Sequence, residues 1–365
     1  MVSLLIGGRV HSDWTTYRID SDLLIPADAW QVSLAAPRID VPTSVREGEL
    51  VEVRVGNDTV LSGRIDEIDH EVGKNQHTLM LCGRDGAAVL VDCSAPIFVS
   101  KQITLAEVIA NVVKPLGISR IRVEAGGTAT YDKVNVDPCD TAWDVLTNAA
   151  EGSGLWPWFD PDGTLVIGGP DYSKPPVASL VMRRDGKGNN LVSLGRQASI
   201  ADRYSEITAL AQSHGTSLEA GKHALKATAR DTGVSYYRPK IVVDHDAPTL
   251  ASVEARARKL LADSRLRGMT LSAVVRGHRT SDGILWTPGQ RIHVLSEPHG
   301  IDGIYFLMGR RFEGGRGQVK GARTTLALKE DGVWVLDAHP HTKRKRHRKQ
   351  IGPGEILSDA VLMGQ

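Results

Sequence analysis

The sequence predicts an α+β fold that is mainly β, in which two similar small β-barrels flank an α/β unit. Three observations predict it: period-two alternation of apolar residues in two separated regions, helical spacing between them, and self-similarity of the two strand-rich regions. An inserted helix and an extended C-terminal tail complete the architecture. The predicted boundaries are residues 1–95 for the first β-barrel, 96–190 for an α/β domain with two helices and a hairpin, 191–212 with 269–335 for the second β-barrel, 213–268 for an insertion with a helix, and 336–365 for a basic and apolar tail.

The first strand-rich region carries clear strand signals. In "ELVEVRV", Val51 and Val53 alternate with charged residues, which predicts a half-buried strand. "TVLSGRIDEIDHEV" is a longer strand. Its apolar phase slips between Ile65 and Ile68, so we expect a β-bulge near Asp66.

The middle region changes to helical spacing. "TLAEVIANVVKPLGI" begins with Thr104 and Glu107, and "DTAWDVLTNAAEG" begins with Thr141 and Asp144. A hydroxyl followed three residues later by a carboxylate is typical of a helix N-terminus. "LWPWFDPDGTLVIGG" then predicts a hairpin that turns at residues 161–163.

Strands return at about residue 191, and a helix is predicted over about residues 249–266. The segment 213–248 is polar without clear periodicity, which predicts an irregular insertion. Further strands run from "MTLSAVV" to "TTLALKE" and complete the second barrel.

The two strand-rich regions resemble each other, which predicts an internal duplication. The aligned pairs are Gly48–Gly289, Val51–Ile292, Val53–Val294, Val60–Ile304, Ile68–Phe312, Asp69–Glu313, Thr78–Thr325, Leu79–Leu326 and Leu81–Leu328. The alternative is coincidence, because any two antiparallel meanders share some of this pattern. If the duplication holds, two similar barrels in each of three subunits can form a closed ring of six like modules.

This order of elements resembles that of the baseplate hub protein of Mu-like contractile-tail bacteriophages. The resemblance spans about residues 1–335 and rests on "GELVEVRV" and "VLSGRIDEID" in the first barrel, on the helical unit with "DPDGTLVIG", and on "TPGQRIHV" and "GIYFLMGRRFEGG" in the second. The chain is similar, more distantly, to other myophage hubs and to the hub regions of type VI secretion spikes.

The resemblance implies a structural, non-enzymatic homotrimer around a central channel, whose pseudo-six-fold ring joins the three-fold spike to the six-fold tail tube. The implied partners are the tail spike protein, the tail tube or tube-initiator protein, other baseplate (wedge) proteins and the tape measure protein, with DNA only as transient channel cargo. The implied location is the virion baseplate, after assembly in the bacterial host cytoplasm. The resemblance carries over no catalytic, cofactor-binding or metal-binding residue.

The charge distribution argues against a nucleic-acid-binding body. The chain has 44 basic and 43 acidic residues, and six basic ones lie within residues 343–350, so the remainder is slightly acidic.

Cys82, Cys93 and Cys139 are too few for a disulfide framework or a cysteine zinc site, and suit synthesis in a reducing cytoplasm. The N-terminal apolar run predicts a strand rather than a signal peptide, and we expect no membrane insertion because no run approaches about 20 apolar residues.

The motifs that suggest enzyme chemistry are weak. "GGRGQVKG" at residues 314–321 lacks the Gly-Lys-Ser/Thr of a phosphate-binding loop, so a hairpin loop is favoured. "DPDG" at residues 160–163 fits a type I turn better than a calcium loop. Trp156 and Trp158 fit core or interface packing better than sugar stacking. The main alternative function is a peptidoglycan-acting or carbohydrate-binding tail protein, and a DNA-binding protein is a third.

The C-terminal segment "HPHTKRKRHRKQIGPGEILSDAVLMGQ" places a basic run before an apolar stretch. A solvated, disordered run and a sequence-blind DNA contact are the alternatives. The layout favours an assembly strap, in which the charges lie on an acidic surface of a partner and the apolar end docks in a groove. The residues predicted to bind the partner are Lys343, Arg344, Lys345, Arg346, Arg348, Lys349, Ile356, Leu357, Val361 and Leu362.

Overall fold

A computed structural model describes residues 1–96, 104–124, 140–152, 154–211, 225–244, 249–316 and 321–336. The strands are β1 (Val2–Ile6), β2 (Arg9–His11), β3 (Thr16–Asp22), β4 (Ala29–Ala36), β5 (Leu50–Val55), β6 (Asp58–Val72), β7 (His77–Asp85), β8 (Ile121–Val123), β9 (Trp156–Phe159), β10 (Leu165–Gly168), β11 (Ala178–Met182), β12 (Ser193–Ala198), β13 (Glu206–Ala211), β14 (Leu225–Arg230), β15 (Pro239–Asp244), β16 (Met269–Arg276), β17 (Arg291–Ser296), β18 (Ile301–Gly314) and β19 (Arg323–Glu330). The helices are α1 (Ala87–Asp92), α2 (Leu105–Val108), α3 (Ala142–Gly152) and α4 (Leu250–Gly268), and α2 continues through a π-helical turn and a 3₁₀ turn to Leu116.

One large sheet of thirteen strands contains most of the chain. Its order is β12-β16-β19-β18-β3-β4-β7-β6-β5-β1-β2, with β17 also on β18 and β11 on β17. The prediction of a mainly β fold is confirmed. The prediction of two separate closed barrels is not: among the described residues neither strand-rich unit closes, and the two units share one sheet. The physical reason is the length of β18, which pairs with β17 along Ile301–Phe306 and with β3 along Gly309–Gly314.

The first strand unit, β1–β7, follows the alternation read from the sequence. Val51 and Val53 are buried on one face of β5, while Glu52 and Arg54 on the other face are half-exposed and ion-paired. The predicted bulge is present, because the register of β6 on β7 shifts between Ile65 and Glu67. The extra residue bends β6 and changes which side chains face the core.

The second strand unit consists of β11, β12 and β16–β19, and its central strands repeat the first unit in detail. The Gly48 N–H donates to the Ile65 carbonyl at 2.8 Å, and the Gly289 N–H donates to the Leu307 carbonyl at 2.8 Å. Both glycines have a positive φ, which favours glycine. The register of β18 on β19 also shifts immediately after Leu307, as that of β6 does after Ile65.

This geometry corrects part of the sequence alignment. The pairs from Gly48–Gly289 to Val53–Val294 hold, because β5 on β6 and β17 on β18 have matching registers. Since Ile65 corresponds to Leu307, the partner of Ile68 is Arg310 rather than Phe312. The later pairs shift in the same way, so Leu81 corresponds to Leu326. The alignment was displaced by two residues, which leaves every side chain on its original face.

The α/β unit has its own core. Strands β8, β10 and β9 form a three-stranded sheet, covered by α1, α2 and α3. Both predicted helix starts are present: the Glu107 N–H donates to Thr104 Oγ1 at 3.2 Å and the Asp144 N–H to Thr141 Oγ1 at 3.1 Å. The hairpin turns at Gly163, as predicted. Strand β11, placed in this domain by the predicted boundaries, pairs instead with β17.

The segment expected to be an irregular insertion contains two strands. Strands β14 and β15 flank β13 in a second three-stranded sheet, so β13 belongs here and not to the second strand unit. The predicted helix is present as α4, and Val253 and Ala257 pack on Ala209 and Ala211. The core between α4 and this sheet is made of small residues, and β14 alternates only between half-buried and exposed positions. The sequence therefore offers a weak apolar period in this segment.

Candidate assembly interface

The pairing of β3 with β18, called here the β3–β18 joint, holds the two strand units together. Six residue pairs run from Gly309–Asp22 to Gly314–Tyr17 in an antiparallel register. Arg311 Nε donates to Asp20 Oδ1 at 2.5 Å across the joint. A single apolar core, with residues from both units, underlies it.

A histidine lies buried under the joint. One ring nitrogen of His278 lies 2.8 Å from Tyr17 Oη and the other 3.0 Å from Thr324 Oγ1. Its ring stacks on Phe312 with centroids 4.4 Å apart. Burial, reinforced by the charge of Arg310, lowers the pKa of His278 to about 4. The ring is therefore neutral at physiological pH, and its role is to connect three strands.

An arginine is also enclosed there. Arg310 is 4% exposed, donates from Nη2 to the Val60 carbonyl at 3.2 Å, and stacks on Phe312 at 3.9 Å from the ring centroid. Its Nε and Nη1 have no hydrogen-bond partner among the described residues. Burial lowers the pKa of this guanidinium to about 10. A charge buried this deeply is costly unless nearby acids compensate it.

Three carboxyl groups surround the same region. Burial raises the pKa of Asp28 to about 6, against hydrogen bonds from Ser21 and Asp22 and the charge of Arg310. Burial and the neighbouring Asp28 raise the pKa of Asp85, and burial raises that of Asp22. Asp28 and Asp85 accept backbone hydrogen bonds from Asp22 at 3.0 Å and Ala87 at 2.9 Å. The Asp85 N–H also donates to the Asp28 carbonyl at 2.9 Å, which fixes the loop before β4 against the end of β7. The three carboxyl groups line a cavity of about 50 Å³ with Arg310.

A groove of about 770 Å³ lies between the first strand unit and the α/β unit. Two of its carboxylates, Asp66 and Asp92, each bind Arg84 at 2.6 Å. The Arg84 hydrogen bond lowers the pKa of Asp92. Burial raises the pKa of Asp85, which also lines the groove and accepts from the Ala87 N–H. Among the described residues, no cluster of three or more His, Cys, Asp or Glu side chains could hold a metal ion, and no helix is long and apolar enough to span a membrane.

Trp156 and Trp158 make packing and hydrogen-bonding contacts. Trp156 Nε1 donates to the Leu23 carbonyl at 2.5 Å, and its ring packs on the cluster around Phe306 and Trp334. Trp158 Nε1 donates to Asp160 Oδ1 at 3.2 Å. Both agree with the packing interpretation, and the Trp156 contacts tie the α/β unit to the strand units.

Several strand edges have no strand partner among the described residues, and those of β6 and β12 belong to the repeated strand units. On β6, the side that carries β5 is unoccupied beyond Arg64, from Glu67 to Val72. On β12, only the side facing β16 is occupied. Exposed sheet edges favour the addition of another strand.

The partner-binding residues predicted from the sequence, from Lys343 to Leu362, lie outside the described residues. Sequence reasoning missed the joint. The one signal that pointed to it is "IYFLMGRRF", where Arg310 and Arg311 interrupt an apolar strand. A charged residue at a core-facing strand position indicates a specific buried contact.

The chain matches four families that follow one another along its length. Residues 1–85 match Mu phage baseplate assembly protein GpP-like, N-terminal, and residues 87–169 match baseplate hub protein gp44-like, second domain. Residues 203–261 match tail protein NMB1110-like, third domain, and residues 263–333 match a tail protein C-terminal domain.

Solved structures and a curated protein agree with these matches. The tail protein from Neisseria meningitidis MC58 is 41% identical, with a TM-score of 0.80 over 93% of this chain and 99% of that one. The 43 kDa tail protein of prophage MuSo2 from Shewanella oneidensis is 22% identical, with a TM-score of 0.77 over 92% and 99%. Baseplate hub protein gp44 of Escherichia phage Mu is 23% identical over 85% of this chain and 82% of its own length.

A more distant likeness concerns the fold alone. The Escherichia coli protein c3393, a type VI secretion component with structural similarity to the T4 tail proteins gp27 and gp5, is 12% identical. It has a TM-score of 0.56 over 91% of this chain and 78% of that one.

The shared sheet, the α/β unit and these matches define a structural protein of the phage tail baseplate. The chain belongs to the gp44-like family of Mu-like baseplate hub proteins, which serve contractile tails.

Proposed function

We propose that this hub is a non-enzymatic homotrimer, in which six similar strand units form a pseudo-six-fold ring around a central channel. The observation that supports it is the internal repeat, with its matching glycine hydrogen bonds at Gly48 and Gly289 and matching bulges after Ile65 and Leu307. Two like units per chain are what a three-fold protein needs to meet a six-fold neighbour.

In this function the ring joins the three-fold tail spike to the six-fold tail tube or its initiator. Wedge proteins and the tape measure protein are further partners, and DNA crosses the channel only as transient cargo. Assembly takes place in the bacterial host cytoplasm, and the hub then resides in the virion baseplate.

A native mass measurement tests the trimer. We expect a species of three times the 39.5 kDa chain, alone or with the spike and tube proteins. A chain that stays monomeric or dimeric in the presence of both partners contradicts the proposal.

The C-terminal segment has a separate role in this proposal. Its basic residues, from Lys343 to Lys349, bind an acidic surface of a partner or neighbouring subunit, and Ile356, Leu357, Val361 and Leu362 dock in an apolar groove. Deletion of residues 339–365 is expected to make the hub complex, with neighbouring subunits or with tail partners, fall apart in salt. A deletion variant that yields salt-stable, normally assembled complexes contradicts this role.

A matched pair of variants separates the two halves of the segment. Changing its six Lys and Arg residues to Gln should mainly slow association, because charge at the edge of a contact steers encounter. Changing the four apolar residues to Ser should mainly speed dissociation.

A further inference from the structure

We propose that β12 of one copy pairs antiparallel with the free edge of β6 in a second copy, which repeats the β3–β18 joint at the subunit boundary. This inference rests on the proposed trimer and specifies its interface. The partner is another molecule of this chain, joined head to tail.

The first step is that β12 occupies the place in the second strand unit that β3 occupies in the first. The Thr15 N–H donates to the Ser33 carbonyl at 2.7 Å, and the Val192 N–H donates to the Val274 carbonyl at 2.7 Å. Each bond comes from the residue just before the strand begins. Its acceptor is the residue that the register assigns to the next residue along, since Ser33 pairs with Thr16 and Val274 with Ser193. The strand partners also correspond, because β3 pairs with β4 and β12 with β16. Within the chain β3 also pairs with β18, whereas β12 has no second partner among the described residues.

The second step is that β6 presents the site that β18 presents. On β18, β3 occupies the residues immediately after the bulge, on the side where β17 has ended. On β6, the equivalent residues are Glu67–Val72, after the same bulge and beyond the end of β5. Each chain therefore contains one complete joint, between β3 and β18. It also carries the two strands of a second joint, β12 and the free part of β6, which do not pair with each other within the chain.

The backbone groups on both edges point the right way. The Ser199 N–H donates to the Gly268 carbonyl before β16, and N–H directions alternate along a strand. The N–H groups of Leu194, Arg196 and Ala198 therefore point away from β16. The Gly73 N–H donates to the Gln76 carbonyl towards β7, so those of Ile68, His70 and Val72 point to the free side of β6.

Superposing the two units gives the register of the new pairing. The opposed residues are Ile68 with Ala198, Asp69 with Gln197, His70 with Arg196, Glu71 with Gly195, and Val72 with Leu194. In this register the outward N–H groups of the two strands face each other, as a hydrogen-bonded ladder requires.

The side chains favour this pairing over a β6–β6 pairing. Val72 is 63% exposed in the single chain, and opposite Leu194 it gains an apolar cross-strand partner. Glu67, Asp69 and Glu71 lie on one face of β6, so a β6–β6 pairing would oppose like charges. Strand β12, with sequence SLGRQA, has no acidic residue. Because β6 and β12 are different surfaces, a row of copies joined head to tail has an unpaired β6 edge at one end and an unpaired β12 edge at the other. Closing the row into a ring pairs these two edges as well.

Disulfide cross-linking tests the register. The three native cysteines are replaced by Ser, and Asp69→Cys and Gln197→Cys are introduced together. These residues are opposed in a non-hydrogen-bonded pair, where Cα atoms lie roughly 4.5 Å apart, within disulfide range. Mild oxidation should give a covalent trimer on a non-reducing gel. A mixture of the two single variants should stop at a covalent dimer, because each chain then carries only one half of the contact.

The matched control is Asp69→Cys with Ala198→Cys, which places the second thiol on the opposite face and should not cross-link. The native mass of each sample is measured alongside. A trimer by native mass that forms no Asp69–Gln197 disulfide overturns the strand pairing and leaves the proposed function standing. A sample that forms no trimer even with the spike and tube proteins present overturns the proposed function itself.

A backbone variant tests the same contact independently. Arg196→Pro removes an N–H that points away from β16, so the ladder within the chain remains intact. We expect this variant to melt like the wild-type monomer and to lose the trimer. Arg196→Val keeps the N–H and should still assemble. A trimeric Arg196→Pro variant overturns the pairing.

Discussion

At the scale of single residues, the groups under the β3–β18 joint are buried and closely packed, and the His278 ring among them is neutral. His278 is hydrogen-bonded on both ring nitrogens and lies near the buried Arg310. Among the described residues its hydrogen-bond partners are Tyr17 and Thr324, neither of which is acidic, so a protonated ring would add a second positive charge to a buried site. The joint is therefore sensitive to acid.

The pH dependence of stability follows from His278. Its pKa falls from 6.5 to about 4 on folding, so the unfolded chain binds the proton more readily between these values. The contribution of neutral His278 to the free energy of unfolding is complete above pH 6.5 and falls as the pH drops towards 4. The loss is up to about 3 kcal/mol, at 1.36 kcal/mol per pKa unit. The buried carboxyl of Asp28 opposes this in the same window, because its raised pKa favours the acid side.

The variant His278→Gln isolates this contribution. Urea unfolding at pH 7.5 and pH 4.5 should show a smaller loss of stability on acidification than in the wild type. An unchanged difference between the two pH values would rule out His278 as the cause.

A glycine on β7 should tolerate no side chain. A Cβ at Gly83 would lie 1.9 Å from the Arg64 carbonyl oxygen and 2.9 Å from the Trp30 ring. We expect Gly83→Ala to destabilise the fold by roughly 1–3 kcal/mol or more, because the neighbouring backbone must move. Gly303→Ala on β18 is the matched control, since its Cβ would approach nothing closer than 3.9 Å. Equal melting temperatures for the two variants would contradict this reasoning.

At the scale of secondary-structure elements, local chemistry sets where the helices begin. Thr141 Oγ1 accepts from the Asp144 N–H, and the Asp144 carboxylate accepts from the Thr141 N–H at 3.3 Å. This reciprocal pair satisfies two N–H groups that the helix itself cannot bond.

Thr141→Ala should therefore destabilise α3 by about 1 kcal/mol. Faster hydrogen exchange of peptides from α3 is the direct measure. Thr141→Ser keeps the hydroxyl and should exchange nearly as the wild type does. If the Ser variant loses as much protection as the Ala variant, the lost methyl group rather than the cap is responsible.

At the scale of the whole molecule, the two strand units share one sheet and one core. The α/β unit has a separate core behind them. We therefore expect the strand units to unfold together, although their sequences look like two domains.

Phe312→Ala tests this cooperativity. Phe312 is fully buried in the second unit, and its truncation should cost about 3–5 kcal/mol. Peptides from β7, in the other unit, should then exchange faster by the same free energy. Unchanged exchange in β7 would show that the units unfold separately.

Much of the fold was predictable from local patterns. The alternation in β5, the bulge after Ile65, the helix starts at Thr104 and Thr141 and the turn at Gly163 are present where the sequence indicated. The small-residue sheet of β13–β15 was missed because alanines give a weak apolar period. The predicted partner-binding segment remains a prediction.

The sequence by itself determined the class of the fold, the repeat and the family resemblance, because caps, turns and period-two faces are set by neighbouring residues. Tertiary structure alone decided that the units share a sheet, which edges stay free, and how the repeats superpose. The physical reason is the pleat: displacing a strand by two residues leaves each side chain on the same face. The hydrogen bonds of Ile65 and Leu307, the strand pairings beside them and the bulges that follow distinguish the true register, and that register aligns the two free edges.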